Sequence, residues 1–167
     1  YLQRTAPKVA AITGSVGKTT TRAMLASILS QGNAGLQTRG NFNNRIGLPL
    51  TLLSLRPDDN WVVLEMGMSE PGELRLLAEI ARPNVRVITE VTAAHLEFFP
   101  SVEAIADAKG ELFESARAGD VLVLPADNPL SDRFPRPEGS SVVRFSLRAD
   151  SDAEVKVLHI EDRGITG

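Results

Sequence analysis

The hydrophobic residues of the chain gather in four short runs, at positions 9–12, 61–64, 85–88 and 121–124. Three of these runs lack strict alternation between apolar and polar residues. An unbroken apolar run of this length is typical of a strand in a parallel sheet that is covered on both faces. We therefore predict that the four runs are parallel strands.

Three segments between these runs carry apolar residues at helical spacing, as in helices that pack one face on a core. The three stripes are Met24, Leu25, Ile28 and Leu29; Leu74, Leu77 and Ile80; and Val102, Ile105, Ala106, Leu112 and Phe113. Gly32 marks the end of the first helix. Pro71 lies in the first turn of the second, which ends before Pro83, and Ser101 caps the third. Because strands and helices alternate, we predict an α/β fold with a doubly wound, mostly parallel sheet.

The character of the sequence changes after the fourth run. Prolines predict surface loops here, at Pro125, Pro129, Pro135 and Pro137. Two extended stretches follow, at 142–145 and 154–160. We predict that they pair as edge or antiparallel strands, which would form a small antiparallel addition near the carboxyl terminus.

Composition and charge exclude several classes of protein. The 167 residues contain no cysteine, which excludes a disulfide framework, a thiolate metal site and a cysteine nucleophile and fits a cytoplasmic protein. No apolar run approaches the roughly 20 residues of a membrane helix. A net charge of −3, without a basic cluster interleaved with aromatics, argues against a nucleic acid partner. We interpret the chain as an excerpt from a longer protein, because it begins with Tyr1 and a new segment starts near its end.

The most informative motif is a glycine-rich loop between the first predicted strand and the first predicted helix. Glycines let successive N–H groups face a phosphate, the helix amino terminus adds positive potential, and Lys18 adds a full charge. Thr19 would also place its hydroxyl on Mg²⁺. The general motif G-x-x-x-x-G-K-[ST] requires glycine where Ile12 stands, so this loop is a shorter variant. The candidate phosphate contacts are Gly14, Ser15, Val16, Gly17, Lys18, Thr19 and Thr20. The alternative is a glycine-rich turn with an exposed lysine.

Two candidate metal ligands follow predicted strands. Glu65 comes directly after the second run, and His95 lies just beyond the third. Both fall at the carboxyl edge of the sheet, where ligands of open α/β folds bind, and a carboxylate oxygen suits Mg²⁺. The alternatives are a Glu65 that pairs with a neighbouring basic residue and a structural histidine. His159 has no such context and is interpreted as a surface or strand residue.

Lys109 lies on the apolar stripe of the third predicted helix, which predicts an inward-facing amine. Burial disfavours the ammonium form and lowers the pKa of a lysine. A neutral amine is a nucleophile that reacts with CO₂ to give a carbamate, an anionic oxygen ligand for a second Mg²⁺. The alternative is a lysine that extends past the core to solvent or pairs with Asp107 or Glu111, and spacing alone favours that alternative.

The segment at 38–49 is rich in amides and glycines and too polar to be core. Polar loops in compact domains often carry function, so Asn41, Asn43 and Asn44 are candidates for a substrate loop. A capped turn that leads into the apolar residues 50–55 fits the same pattern.

Five ordered motifs resemble the Mur ligases over nearly the whole chain. These are cytoplasmic enzymes that add amino acids or a dipeptide to the peptidoglycan precursor. The segment at 40–51 is most similar to the branch that adds D-alanyl-D-alanine to UDP-N-acetylmuramoyl-tripeptide. The motifs are the loop at 13–20, the segment at 40–51, Glu65-Met66-Gly67, Ala94-His95-Leu96-Glu97 and Ala108-Lys109-Gly110-Glu111.

The resemblance implies a role for each candidate residue. Lys18 would contact the phosphates of ATP, and Thr19 would bind Mg²⁺. Glu65 and His95 would belong to a second metal site, together with Lys109 in carbamylated form. ATP would transfer its γ-phosphoryl group to the tripeptide carboxylate, and the amine of the dipeptide would then displace phosphate from the acyl phosphate.

The resemblance also implies that residues 1–167 form the central ATPase domain of a monomeric three-domain ligase, itself incomplete. The amino-terminal UDP-sugar domain and the carboxyl-terminal domain would be absent, so we expect no ligation by this chain alone. The chain departs from the family pattern in three loops. Val16 replaces an asparagine, Ser69-Glu70 replaces Asn-His, and residues 89–92 replace Thr-Asn-Val-Gly.

Three other functions fit parts of the pattern. Another ligase of the same superfamily, of the folylpolyglutamate or cyanophycin synthetase type, would share the ATP chemistry but use a different acceptor. A phosphate-loop switch or binding module would use the loop but has no need of His95 or of an inward Lys109. A non-enzymatic scaffold fragment would not bind ATP.

Overall fold

A computed structural model describes residues 6–93 and 98–159 and contains seven strands and four α-helices in these ranges. The strands are β1 Lys8–Thr13, β2 Gly35–Gln37, β3 Trp61–Glu65, β4 Val85–Ile88, β5 Val121–Pro125, β6 Ser141–Ser146 and β7 Val155–Lys156. The helices are α1 Lys18–Leu29, α2 Gly47–Leu53, α3 Glu73–Ala81 and α4 Val102–Glu114, and a 3₁₀ helix spans Pro129–Arg133. None of the described helices is long and apolar enough to cross a bilayer.

The strands form one parallel sheet in the order β2-β3-β1-β4-β5-β6-β7. All four predicted strands are confirmed. Among the strands, the sequence pattern missed the three-residue β2 and the direction in which β6 and β7 pair with their neighbours. The carboxyl ends of the strands therefore meet at one edge of the sheet. This edge carries the loops after β1, β3 and β4.

The prediction of an antiparallel addition was wrong. β6 runs parallel to β5, with Val123 beside Val143, and β7 runs parallel to β6. Residues 126–140 return the chain to the starting end of the sheet through the 3₁₀ helix, whereas antiparallel neighbours need only a tight hairpin. β7 contains only Val155–Lys156, and residue 160 of the predicted stretch lies outside the described residues.

Helices lie on both faces of the sheet, but unequally. α1 packs on β1, β2 and β3 over a small core that includes Ile12 and Trp61. The other three helices lie over a larger core on the opposite face, which includes Leu64 and Leu122. The step from β1 to β2 runs along the sheet in the opposite direction to the later steps, so right-handed crossovers place α1 on the other face.

The face that carries α1 is open over β5 and β6 in the described part of the chain. Val121, Val123, Val143 and Phe145 alternate with core residues along these strands, are half-buried and belong to neither core. The expectation of a sheet covered on both faces therefore holds from β2 to β4 in the strand order but not over β5 and β6.

The three predicted helices are confirmed, with two corrections. Pro71 precedes α3 and does not lie in its first turn, because the helix begins at Glu73 after the cap residue Gly72. Ser101 caps α4 by accepting a hydrogen bond from the amide of Ala104, at 3.2 Å. On α1, however, Met24 and Ile28 are 62% and 66% exposed, so half of the predicted stripe is wrong. Ala26 is the buried residue of this helix, with Leu25 and Leu29 beside it. Spacing alone does not distinguish this stripe from the neighbouring one, because the two share residues 25 and 29.

Candidate active site

The loop between β1 and α1 has the backbone that its glycines predicted. Gly14 and Gly17 adopt positive φ angles of 150° and 85°, and Gly17 is the amino-terminal cap residue of α1. A β-carbon on Gly14 would collide with the hydroxyl of Thr89 and lie 3.1 Å from the amide of Glu90. Glycine is therefore required at position 14 by close approach as well as by conformation.

The segment after β4 fixes the shape of this loop. The hydroxyl of Thr89 lies 2.6 Å from the carbonyl oxygen of Val16. The amide of Ser15 donates to the carbonyl of Glu90 at 2.8 Å, and the amide of Thr92 donates to the hydroxyl of Ser15 at 3.0 Å. Although residues 89–92 depart from the family pattern, they hold the phosphate loop by hydrogen bonds from both backbone and side chains.

Lys18 begins α1 and folds back over the loop. Its amine donates to the carbonyl of Gly14 at 2.7 Å. Partial burial lowers the pKa of Lys18, and the charge of Glu65 opposes that effect. The amine is therefore half-buried beside the loop, in contrast to the exposed lysine of the alternative interpretation.

Glu65 is the centre of a polar cluster at the end of β3. It is 4% exposed. Thr19 donates its hydroxyl hydrogen to Oε2 at 2.9 Å, and the side-chain amide of Asn43 donates to Oε1 at 3.0 Å. Arg22 Nε lies 3.5 Å from Oε2, so the basic neighbour of the alternative interpretation is also present. The main-chain amide of Glu65 donates to the hydroxyl of Thr38 at 3.0 Å.

Sequence reasoning missed Arg22 and Thr38, and it named Asn43 without a partner. Arg22 also donates to the side-chain oxygen of Gln37 and to the carbonyl oxygen of Thr38, which ties α1 to β2. The only available signal was that Arg22 follows Lys18 by one helical turn and so lies on the same side of α1.

Lys109 faces inward, as its spacing predicted, and is 2% exposed. Burial and the nearby charge of Lys18 lower its pKa to about 7. Neither carboxylate of the alternative interpretation binds it, because Asp107 pairs with an arginine of the 3₁₀ helix and Glu111 accepts from main-chain amides. Among the described residues, the Lys109 amine has no hydrogen bond or ion pair.

One cavity of about 370 Å³ brings these groups together. Lys18, Asn43 and Lys109 all line it, together with Gly14 of the phosphate loop. Glu65 and Thr19 lie beside it through their bonds to Asn43 and to each other. A larger groove of about 900 Å³ runs along β2 behind Arg22, but it holds neither lysine. The smaller cavity is the better candidate site because the chemical groups converge there.

Of the remaining candidates, Asn44 both lines this cavity and stabilises a turn, whereas Asn41 and His159 are exposed. Asn44 accepts from the amides of Ile46 and Gly47, at 3.1 and 2.9 Å, so it forms the capped turn of the alternative interpretation. Asn41 is exposed, and its carbonyl oxygen accepts from the amide of Asn43 at 2.8 Å. His159 is exposed.

His95 lies in residues 94–97, outside the described residues. In the ranges that the structure does describe, no three His, Cys, Asp or Glu side chains gather into a metal site. The oxygen donors of Thr19 and Glu65 are nevertheless adjacent, which suits a hard cation such as Mg²⁺.

Comparison with known proteins identifies the family. The family model of the Mur ligase middle domain matches residues 12–166. The UDP-N-acetylmuramoyl-tripeptide--D-alanyl-D-alanine ligase of Escherichia coli strain K12 is 38% identical over 164 residues, which are 97% of this chain and 36% of that enzyme. The enzyme of the same name from Bacillus subtilis strain 168 is 43% identical over 130 residues, 78% of this chain and 28% of its own length. The chain spans about a third of the length of these relatives.

Solved structures agree. A crystal structure of MurF from Acinetobacter baumannii superposes with a TM-score of 0.84 at 33% identity, over 95% of this chain and 34% of that one. MurF ligase from Thermotoga maritima, solved in complex with ADP, gives a TM-score of 0.77 at 35% identity, over 87% of this chain and 33% of that one. The predicted resemblance and the α/β fold class are both confirmed.

Proposed function

The chain belongs to the Mur ligase family, whose middle domain it matches over residues 12–166, and on that premise we propose that it is the ATP-binding centre of a peptidoglycan ligase. The proposed enzyme adds D-alanyl-D-alanine to UDP-N-acetylmuramoyl-tripeptide, as relatives 33–44% identical are named to do. Because the chain is about a third of their length, we propose that the UDP-sugar domain and the carboxyl-terminal domain lie outside these 167 residues.

The observation that carries the proposal is the convergence of a phosphate loop, a buried carboxylate and a buried amine at one edge of the sheet. Gly14 leaves room for a phosphate group to approach the backbone, and the amino terminus of α1 favours an anion. These features fit the triphosphate of ATP. Lys18 would exchange its bond to the Gly14 carbonyl for phosphate oxygens when nucleotide binds.

The oxygens of Thr19 and Glu65 fit Mg²⁺ because they are adjacent, hard and partly buried. When bound, Mg²⁺ supplies positive charge that offsets the charge of the phosphoryl oxygens. Asn43 and Arg22 hold the carboxylate of Glu65 from two sides and so fix its orientation. In the proposed reaction, ATP phosphorylates the tripeptide carboxylate. The dipeptide amine then attacks the acyl carbon and phosphate leaves.

Lys109 supplies the second part of the site. A pKa of about 7 leaves a large fraction of its amine neutral at physiological pH. The neutral nitrogen can attack CO₂ and lose a proton, which converts the lysine into an anionic carbamate. With Glu65 and His95, this carbamate would form the second metal site. The place of His95 in it remains a prediction, because that residue lies outside the described ranges.

We also propose that the enzyme is a cytoplasmic monomer. A nucleotide switch without ligase activity is disfavoured, because it has no use for a buried Lys109 amine that faces Lys18 across the same cavity. Another acceptor, such as a folate, is disfavoured because the relative that matches 97% of this chain is named as a D-alanyl-D-alanine ligase.

The test uses the full-length gene product with ATP, Mg²⁺, UDP-N-acetylmuramoyl-tripeptide and D-alanyl-D-alanine. We expect phosphate release that requires both the tripeptide and the dipeptide, with the pentapeptide product detected by mass spectrometry. A panel in which a single amino acid or folylglutamate replaces the dipeptide provides the control. Phosphate release with one of those acceptors, and none with D-alanyl-D-alanine, would contradict the proposal.

A further inference from the structure

Glu111 lies on α4, two residues beyond Lys109, and its carboxylate reaches across to another helix. The side chain is 7% exposed. Its two oxygens accept from the amide of Gly72 at 2.7 and 2.9 Å, and Oε2 also accepts from the amide of Arg75 at 3.3 Å. The guanidinium of Arg75 is more distant, at 3.9 Å. A buried anion is thus held mainly by main-chain donors.

These donors are the unpaired amides at the start of α3. The cap residue of this helix is Gly72, which has a φ of 89° and no side chain with which to cap. The first amides of a helix have no partner within the helix, and the helix dipole favours a negative charge at that end. Glu111 therefore supplies from α4 the cap that the sequence of α3 lacks.

The start of α3 in turn holds the loop that follows β3. Glu73, in the first turn of α3, accepts from the amides of Ser69 and Glu70. The other end of the loop is held by Gly67, whose amide donates to the carbonyl of Asn43 at 2.8 Å. Residues 67–69 line the same cavity as Lys109. The wall beside Lys109 is therefore tied to α4 through Glu111.

We propose that Glu111 is a positioning residue for the ligase reaction. By capping α3, it fixes the β3–α3 loop against α4 and so sets the separation between Lys109 and the end of β3, where Glu65 lies. This inference rests on the proposed function. It gives a task to the last residue of the Ala108-Lys109-Gly110-Glu111 motif, which the phosphate and metal contacts leave unassigned.

The test compares Glu111→Gln with wild type in the full-length enzyme. Glutamine keeps the shape but has one acceptor oxygen and no charge, so the cap on Gly72 weakens. We expect kcat to fall by about 10- to 100-fold, because small displacements of reacting groups have effects of this order. KM for ATP should change by less than about threefold, since Lys18 and Thr19 lie on α1, whereas Glu111 binds the start of α3.

The matched control is Glu114→Gln, one turn further along α4. Glu114 binds the side chain of Arg75 at 2.6 Å and is 37% exposed, so its loss removes a surface ion pair but leaves the cap. We expect kcat within about twofold of wild type for this variant. Hydrogen exchange of the peptide spanning 67–75 should be faster in Glu111→Gln and unchanged in Glu114→Gln.

The outcomes separate positioning from simple stabilisation. If exchange of 67–75 is faster in Glu111→Gln but kcat stays at the wild-type value well below the unfolding temperature, Glu111 only stabilises the fold and the inference is overturned. If Glu111→Gln does not fold, Glu111→Asp keeps the charge with a shorter reach, and an unchanged kcat in that variant overturns the inference equally. A wild-type enzyme that releases no phosphate refutes the proposed function itself, which is a distinguishable result.

Discussion

Replacing Lys109 with methionine should make the folded chain more stable, although it removes the amine proposed to act in the site. The side chain of Lys109 is 2% exposed, and burial together with Lys18 lowers its pKa from 10.5 to about 7. Methionine has a similar volume and no charge, so the core keeps its packing. The variant should therefore lose the free-energy cost of burying an ammonium group.

The pH dependence follows from the difference in pKa between the folded and unfolded states. Below pH 7 both states carry the proton, and the cost of burying the charge is present in full. Between pH 7 and 10.5 the folded state releases the proton while the unfolded state keeps it, so stability rises with pH. At ~1.4 kcal/mol for each pH unit, the full cost is about 5 kcal/mol, and wild type should gain about 2 kcal/mol relative to Lys109→Met between pH 7 and 9.

The assay is urea unfolding of both variants at several pH values, followed by the fluorescence of Trp61, the chain's single and buried tryptophan. Chelator and CO₂-free buffer keep the amine free. Lys8→Met is the matched control, because it makes the same substitution at an exposed lysine, at the start of β1. Parallel pH profiles for wild type and Lys109→Met would refute the reasoning, since they would mean that Lys109 binds the same number of protons in both states.

Three further predictions concern the glycine-rich loop, the proposed metal ligand Thr19 and the core. Gly14→Ala should destabilise the chain by about 3 kcal/mol in urea unfolding and weaken ADP binding. At Gly119, which has a φ of 88°, an added β-carbon would meet no atom within 4 Å beyond the adjacent residues, so Gly119→Ala should cost only the conformational strain of about 1–2 kcal/mol. Equal costs for the two variants would argue against the close approach at Gly14. Thr19→Val should weaken Mg²⁺-dependent nucleotide binding about tenfold in titration calorimetry and leave binding in chelator unchanged, because the variant loses the hydroxyl beside Glu65 that we propose binds the metal. Arg86→Met removes a 2% exposed guanidinium that binds Asp120 at 3.3 Å. We expect the free energy of unfolding to fall by about 3–5 kcal/mol, because Asp120 loses its charged partner, and ADP affinity to stay intact. A fall of less than about 1 kcal/mol would count against a buried ion pair.

Much of the candidate site could be predicted because its signals are local. The glycines and Lys18 of the loop are contiguous, and a strand-to-helix turn of this composition has few backbone solutions. Lys109 could be placed inward because residues three and four apart lie on one face of a helix, so its apolar neighbours fix its direction. Glu65 could be placed at the sheet edge because it directly follows a buried run.

The partners of these residues could not be predicted in the same way. Asn43 meets Glu65 across 22 positions of sequence, and Glu111 binds the cap residue of α3, Gly72, which lies 39 positions earlier. Contacts of this kind depend on strand order and on the loops that crossovers bring together, and neither is written in local spacing. The same limitation explains the wrong antiparallel pairing of β6 and β7.

The sequence by itself thus determined the chemistry at each strand end, the direction of Lys109 and the alternation of strands with helices, because each depends on residues a few positions apart. Tertiary structure alone decided which strand ends are neighbours, which half of the α1 stripe is buried, and how Thr19, Asn43 and Arg22 meet around Glu65. The physical reason is that backbone periodicity fixes the direction of a side chain locally, whereas its partner is chosen by the packing of the whole sheet.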